Sequence, residues 1–76
     1  MRDLVEFLCR ALVDEPDEVS VEEVEENGDI VLEITVAPDD IGRVIGRGGR
    51  IANAIRTVAR AAGSREDRRV IVDILD

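Results

Sequence analysis

A cluster of glycines and arginines between two apolar helical patterns constrains this chain more than any other feature. Residues 42–50 read Gly-Arg-Val-Ile-Gly-Arg-Gly-Gly-Arg, and arginine is the only charged residue type among them. Glycine allows backbone conformations with positive φ and lets another backbone approach closely. At the beginning of a helix it also leaves unpaired N–H groups and the positive end of the helix dipole facing outward. The segment therefore predicts an anion site, and phosphate is the anion that fits it best.

The distribution of charge supports that interpretation although the net charge of the chain is −8. Residues 1–40 hold two arginines and fourteen acidic residues, a net of −12, whereas residues 41–76 hold eight arginines and four acidic residues, a net of +4. Charges more than about 8 Å apart are largely screened at physiological salt. A local cationic surface can therefore persist on an acidic protein, and we expect the acidic half to be mainly a solvated surface.

Composition excludes several classes of protein. The 76 residues include one cysteine and no histidine or lysine. An internal disulfide and a zinc site are therefore unavailable, and no cofactor is expected. A nucleophile paired with a general base is also missing, so we predict that the chain is not an enzyme. Without a membrane-length apolar run or a leader-like N-terminus, we expect a single domain over residues 1–76 in the cytoplasm.

The first part of the chain predicts one amphipathic helix. Apolar residues recur at helical spacing over residues 2–13, and Pro16 lies shortly beyond, where helices usually stop. Cys9 is expected at the flank of this helix as a small apolar residue. The residues predicted to share its buried face are Leu4, Val5, Leu8, Ala11 and Leu12.

A β-hairpin is predicted next. Val19–Glu26 is typical of a strand, but Val24 breaks its alternation, which indicates a bulge or an edge strand. Asn-Gly at positions 27–28 is a strong hairpin signal. Residues 30–36 then alternate cleanly between apolar and other side chains and predict a second strand.

The remaining elements complete an α+β fold. Pro38 ends the second strand, and Asp39 or Asp40 is a good N-cap for a short helix over Ile41–Ile45. After the glycines, Arg50–Ala62 predicts a longer helix, with Ile51, Ile55, Val58, Ala59 and Ala62 on one stripe and Gly63 as its C-terminal stop. Val70–Leu75 is apolar on both faces except at Asp73 and is typical of a central or well-covered strand. The crossover makes strands 30–36 and 70–75 parallel neighbours, so we expect three helices on one face of a three-stranded mixed sheet.

The segment Val44-Ile45-Gly46-Arg47-Gly48-Gly49 resembles the V-I-G-x-x-G signature of the K-homology (KH) domain. The αββααβ order of elements resembles the type II KH arrangement, and over its whole length the chain is similar to the KhpA family. Two other glycine motifs do not fit. A nucleotide-binding P-loop needs Gly-Lys followed by Ser or Thr, and this chain has no lysine. A dinucleotide-binding fingerprint must follow a strand and needs a third glycine, but here a helix precedes the motif and position 51 is Ile.

The resemblance implies RNA-binding residues at defined positions. Gly46, Arg47, Gly48 and Gly49 would clamp the sugar–phosphate backbone of about four nucleotides, with Arg43 and Arg50 beside them. Ile41, Val44 and Ile45, together with Ile51 and Ile55, are candidates for a groove that holds the bases or for the core. Ile71 or Val72 would complete the far wall. For Arg56, Arg60 and Arg65, RNA contact and a solvated face are equally compatible with the sequence.

The family resemblance also implies partners. Such proteins pair with themselves and with a second KH protein, KhpB (also called EloR), and resemble RNA chaperones linked to cell elongation, division and peptidoglycan homeostasis. We therefore expect single-stranded RNA, a homodimer or a heterodimer with a KhpB/EloR-type protein, and neither a membrane nor a small-molecule substrate. The alternative is an acidic KH-fold dimerisation subunit with little RNA binding of its own, which the net charge of residues 1–40 favours.

Overall fold

The computed structural model describes residues 1–75 and contains three helices and three strands. Short 3₁₀ turns precede β1, precede α2 and connect α2 with α3, at Pro16–Glu18, Pro38–Asp40 and Arg47–Gly49. None of the helices in this described range is long and apolar enough to cross a bilayer. The elements in chain order are α1 (Arg2–Leu12), β1 (Ser20–Glu26), β2 (Asp29–Thr35), α2 (Ile41–Ile45), α3 (Arg50–Ser64) and β3 (Val70–Ile74).

The three strands form one mixed sheet in the order β1-β2-β3, which confirms the predicted α+β fold. β1 and β2 are antiparallel and are joined by Asn27 and Gly28, both with positive φ, as expected for an Asn-Gly turn. β2 and β3 are parallel, because the helical crossover between them carries the chain back to the same end of the sheet.

The core lies between the helices and one face of the sheet. Leu32 and Ile34 of β2 are fully buried there, together with Val5 and Cys9 of α1. The sequence predicted Cys9 at the flank of this helix. The structure places it in the interior instead. The α1 face is rotated accordingly, and Leu4 is 43% exposed. Burial in these apolar surroundings raises the pKa of the Cys9 thiol.

The irregular alternation of β1 has a simple explanation in the sheet. Its pairing with β2 runs from Ser20–Thr35 to Glu26–Asp29 without an inserted residue, so β1 is an edge strand without the bulge. Val24 lies opposite Val31 on the face that carries no helix. Glu25 lies opposite Ile30, on the face that the helices cover, and pairs with Arg68 (2.7 Å). A charged side chain is therefore accommodated on this face at the outer edge of the sheet.

Two predictions about the C-terminal part were wrong. Gly63 does not end α3, which continues to Ser64; a Cβ atom at Gly63 would collide with Val70 and approach the Arg68 carbonyl oxygen to 2.7 Å. Gly63 is thus a point of close contact between α3 and β3. β3 is an edge strand and not a central one, because β1 occupies the other side of β2, and Ile71 on its open face is 38% exposed.

Candidate nucleic-acid interface

The glycine loop connects α2 to α3 through backbone conformations that favour glycine. Gly46 has a φ of 75°, Gly48 of 65° and Gly49 of 78°. The Gly46 N–H donates to the Gly42 carbonyl (2.9 Å) and the Gly49 N–H to the Gly46 carbonyl (3.1 Å), which makes the bend compact. A Cβ atom on Gly46 would lie 2.7 Å from Cγ1 of Ile51, so Gly46 also allows the loop to pack closely on α3.

The loop presents unpaired N–H groups to solvent. Arg47 and Gly48 are exposed, and within residues 1–75 their amides donate to no backbone acceptor. The next helix, α3, is 15 residues long and begins at Arg50, with Gly49 as an N-cap that supplies no side-chain hydrogen bond. Its free N–H groups and the positive end of its dipole therefore point into the same region. This is the arrangement that binds phosphate.

The three arginines around the loop differ in their surroundings. The guanidinium groups of Arg47 and Arg50 form no ion pair within the described residues, and both side chains are exposed. Arg43 is different: its Nη2 lies 2.8 Å from Asp14 Oδ2 and its Nε lies 3.2 Å from Asp40 Oδ1. Arg47 and Arg50 are therefore available to an anionic ligand, whereas the charge of Arg43 is compensated within the protein.

A cationic groove of about 550 Å³ runs between α3 and β3. Arg56 and Arg60 lie four positions apart in the sequence and project from the same side of α3. The α3–β3 loop and β3 form the other wall, and Asp67 contributes one acidic group there. The lining residues are Arg56, Arg60, Ser64, Asp67, Arg68, Arg69, Val70, Ile71 and Val72. We call this the arginine groove.

The free edge of β3 adds backbone hydrogen-bonding groups to the arginine groove. The Ile30 N–H donates to the Arg69 carbonyl (2.9 Å) and the Leu75 N–H donates to the Ile34 carbonyl (2.8 Å). In a parallel ladder alternate residues of an edge strand turn their backbone groups toward the neighbouring strand. The N–H and C=O groups of Val70 and Val72 consequently face the outer edge, where an unpaired strand can bond to a ligand.

The other side of α3 carries an apolar groove of about 360 Å³ toward α1. Val58 in this groove is 37% exposed, and Phe7, the only aromatic residue of the chain, is 68% exposed on α1. The lining residues are Leu8, Ala11, Leu12, Arg50, Ile51, Ala54, Ile55 and Val58. We call this the apolar groove.

The structure separates the apolar residues that the sequence had placed near one groove. Ile71 and Val72 both line the arginine groove, whereas Ile51 and Ile55 line the apolar groove on the other side of α3. Val44 is fully buried, so it belongs to the core and cannot touch a ligand there. Ile41 is half-buried against the core, and Ile45 is half-buried at the end of α2.

Sequence reasoning did not single out the arginine groove. It left Arg56 and Arg60 undecided, and it passed over Arg68 and Arg69. The spacing of Arg56, Arg60 and Ser64 at successive intervals of four residues was an available signal, because such residues share one face of a helix. The contribution of the α3–β3 loop depends on how that loop folds back, which no local pattern indicates.

A glycine loop between two helices, within a strand–helix–helix–strand unit preceded by one helix and one strand, is the type II KH arrangement. Residues 2–74 match the model of the family described as KhpA/KhpB, KH domain. The chain therefore belongs to the KhpA/KhpB KH-domain family. This family is non-enzymatic, which agrees with the expectation from composition.

Curated relatives are similar over their full length. RNA-binding protein KhpA of Clostridium acetobutylicum is 53% identical over 75 residues, which cover 99% of this chain and 100% of the relative. RNA-binding protein KhpA of Aquifex aeolicus is 42% identical over 76 residues, or 100% of this chain and 96% of the relative. A crystal structure of a variant of Aquifex aeolicus Era bound to GDP.AlF4- superimposes with a TM-score of 0.64 at 21% identity, covering 96% of this chain and 28% of that one. The likeness to Era concerns the fold alone.

Proposed function

We propose that the chain binds single-stranded RNA, with the glycine loop holding the sugar–phosphate backbone. The observation that carries the proposal is the pair of exposed, unpaired amides at Arg47 and Gly48 beside the N-terminus of α3. Phosphate oxygens would accept hydrogen bonds from these amides, with Arg47 and Arg50 supplying the nearby positive charge. Gly46 and Gly49 would shape the loop. The KhpA relatives, which are named RNA-binding proteins, support the same assignment.

In this proposal the bases enter the arginine groove. The only aromatic side chain, Phe7, lies on α1, so stacking on an aromatic platform is not available in the groove. Bases would instead contact the guanidinium planes of Arg56 and Arg60 and would hydrogen-bond to the free edge of β3. Ile41 and Ile45 would adjoin the bound strand near the loop. One shallow groove is expected to bind weakly, with a Kd of about 1–100 µM.

The loop assignment is tested by replacing Arg47 and Gly48 together with aspartate. Two carboxylates in the loop should repel the phosphates and abolish binding to oligoribonucleotides of at least four bases, measured by fluorescence anisotropy at low salt. The matched control replaces Ala61 and Arg65 with aspartate, because both are exposed near the C-terminal end of α3, neither lines a groove, and the change in net charge is the same. Circular dichroism should be unchanged for both proteins. Equal loss of binding in the control would show that only net charge matters, and retained binding in the loop variant would exclude the loop.

We also propose that the protein dimerises through the apolar groove. Apolar residues that remain exposed on adjacent helices indicate a surface that becomes covered by another molecule, and a second copy would bring Phe7 and Val58 of each chain to a symmetric contact. Two weak RNA sites in one dimer would bind a longer RNA more tightly by raising the effective concentration. A KhpB/EloR-type protein is the other candidate for this surface.

Association is tested by replacing Val58 with aspartate. A charge in the apolar groove should convert a dimer to a monomer in light scattering, while binding of a four-base oligoribonucleotide changes little because Val58 does not line the arginine groove. A wild-type protein that is still monomeric at about 100 µM, a concentration at which even a weak dimer forms, would contradict the homodimer. A dimer that shifts no cellular RNA at low salt would favour the alternative of an interaction subunit.

The cellular role that we propose follows from the family. The protein would act in the cytoplasm as an RNA chaperone or post-transcriptional regulator, with a KhpB/EloR-type partner, in cell elongation, division and peptidoglycan homeostasis. Crosslinking to RNA in cells followed by sequencing tests this proposal. Enrichment of transcripts for elongation and wall synthesis would support it, and a random sample of cellular RNA would contradict it.

A further inference from the structure

Asp40 is the one polar residue among the buried residues of the described chain, and it is only 2% exposed. It occupies the N-cap position of α2, yet its carboxylate makes no cap hydrogen bond to its own helix, contrary to the role predicted from the sequence. The carboxylate instead accepts hydrogen bonds from the backbone N–H groups of Asp14 (3.2 Å) and Glu15 (3.1 Å), about 25 residues earlier in the chain. A buried carboxylate requires such partners, because burial without them is strongly unfavourable.

Arg43, in the middle of α2, completes this network. Its Nε lies 3.2 Å from Asp40 Oδ1, and its Nη2 lies 2.8 Å from Asp14 Oδ2. The guanidinium therefore bridges two carboxylates, one at the N-cap of α2 and one in the segment that follows α1. Its charge is balanced inside the protein, and a phosphate would have to compete with both acidic groups for it.

The network matters because α2 cannot define its own position. The helix has five residues, and a helix of a single turn is not stable without tertiary contacts. Val44 anchors its middle in the core, the Asp40 network anchors its beginning, and its end continues directly into the loop through the Gly46 N–H bond to the Gly42 carbonyl. A change at Asp40 would thus be transmitted over one helical turn to the amides of the loop.

We propose that Asp40 is a positioning residue for the glycine loop, acting through Arg43 and the amides of Asp14 and Glu15. The proposal rests on the RNA-binding function proposed above and deepens it. In this arrangement Arg43 is part of the positioning network and not a ligand of the RNA phosphates. The acidic side chain at position 40 therefore increases the affinity of the protein for an anion, opposite to its direct electrostatic effect.

That opposition in sign gives the experiment. Asp40→Asn removes one negative charge, so electrostatics alone would leave RNA binding equal or tighter, whereas loss of positioning should lower the affinity about tenfold, because displaced amides lose charge-assisted hydrogen bonds. Asp39→Asn is the matched control: the residue is adjacent and exposed, carries the same charge, and its side chain has no hydrogen bond or ion pair among residues 1–75. Affinity is measured by anisotropy with a short oligoribonucleotide at a temperature where circular dichroism shows both variants folded.

The salt dependence of binding distinguishes positioning from contact. Arg43→Gln should weaken binding without changing the slope of log K against log salt, whereas Arg47→Gln should reduce that slope by about 0.7, the value for one phosphate contact on a single strand. Arg43→Gln keeps both amide bonds to Asp40 and provides the test if Asp40→Asn does not fold. A slope reduced by about 0.7 in Arg43→Gln would overturn the proposal.

A second measurement needs no RNA. In amide NMR spectra, Asp40→Asn should shift the resonances of residues 46–49 while Asp39→Asn leaves them in place. Unshifted loop resonances, or equal RNA affinities for the two variants, would overturn the positioning role and leave the RNA-binding function intact. Absence of RNA binding in the wild-type protein would instead overturn the proposed function.

Discussion

The two grooves beside α3 share one helix but differ in chemistry. The arginine groove is lined by four arginines, by one aspartate and by the edge of β3, whereas Arg50 is the only charged residue in the lining of the apolar groove. The difference arises from positions a few residues apart: Arg56 and Arg60 lie on one side of the helix, and Ala54 and Val58 lie on the other. One helix can therefore present one groove to an anionic ligand and the other to an apolar partner, and the two sites meet at Arg50.

The same comparison explains how an acidic protein can present a site for an anion. The net charge of −8 belongs mostly to residues 1–40, which form α1, β1 and β2, while the arginines that form no ion pair within residues 1–75 lie on α3 and its flanking loops. At physiological salt, surface charges separated by more than about 8 Å interact only weakly. The local distribution of charge determines which face can bind RNA.

The contact between α3 and β3 gives the largest expected effect. Gly63→Ala would place a methyl group against Val70 and the Arg68 carbonyl, so we expect the free energy of unfolding to fall by about 2–4 kcal/mol. Gly42→Ala is the control, because no atom lies within 4 Å of its Cβ position, and it should stabilise the protein by about 0.4–1 kcal/mol. Urea denaturation measures both. If Gly63→Ala is as stable as the wild type, the close contact at Gly63 is not what fixes α3 against β3 beside the arginine groove.

The second effect concerns the chemistry of the arginine groove. Arg60→Glu should lower RNA affinity about tenfold and reduce the salt slope, because it removes a cation from the groove and introduces a carboxylate. Arg65→Glu makes the same change in net charge on an exposed residue that lines neither groove, and it should change affinity by less than about twofold. Similar losses in the two variants would remove the distinction between the groove and the general surface of α3.

The sequence predicts the features of the two grooves that depend on neighbouring residues, and it does not predict those that depend on residues far apart in the chain. The glycine loop and its flanking helices were predictable, because Gly46, Gly48 and Gly49 act locally through their backbone conformations. Ile51 and Ile55 line the apolar groove, whereas Ile71 and Val72 line the arginine groove. This separation depends on how α3 is rotated about its axis against the sheet, and tertiary packing determines that angle. The role of Asp40 was not predictable, because its partners Asp14 and Glu15 lie 25 or more residues away.

The buried thiol reports on the apolar side of the molecule. Cys9 lies within the core between Leu8 and Leu12, which line the apolar groove, so a reagent reaches it only when α1 moves away from the sheet. Burial raises the pKa of the thiol, and less thiolate is therefore present at pH 8 than for an ordinary cysteine. We expect labelling by a thiol reagent at least about 100-fold slower than in urea-denatured protein, because it requires this opening.

If a second copy covers the apolar groove, labelling should slow further as protein concentration rises, and Val58→Asp should remove that dependence. Labelling as fast as in the denatured chain would mean that α1 is not held against the core, and the apolar groove would then not exist as a stable surface.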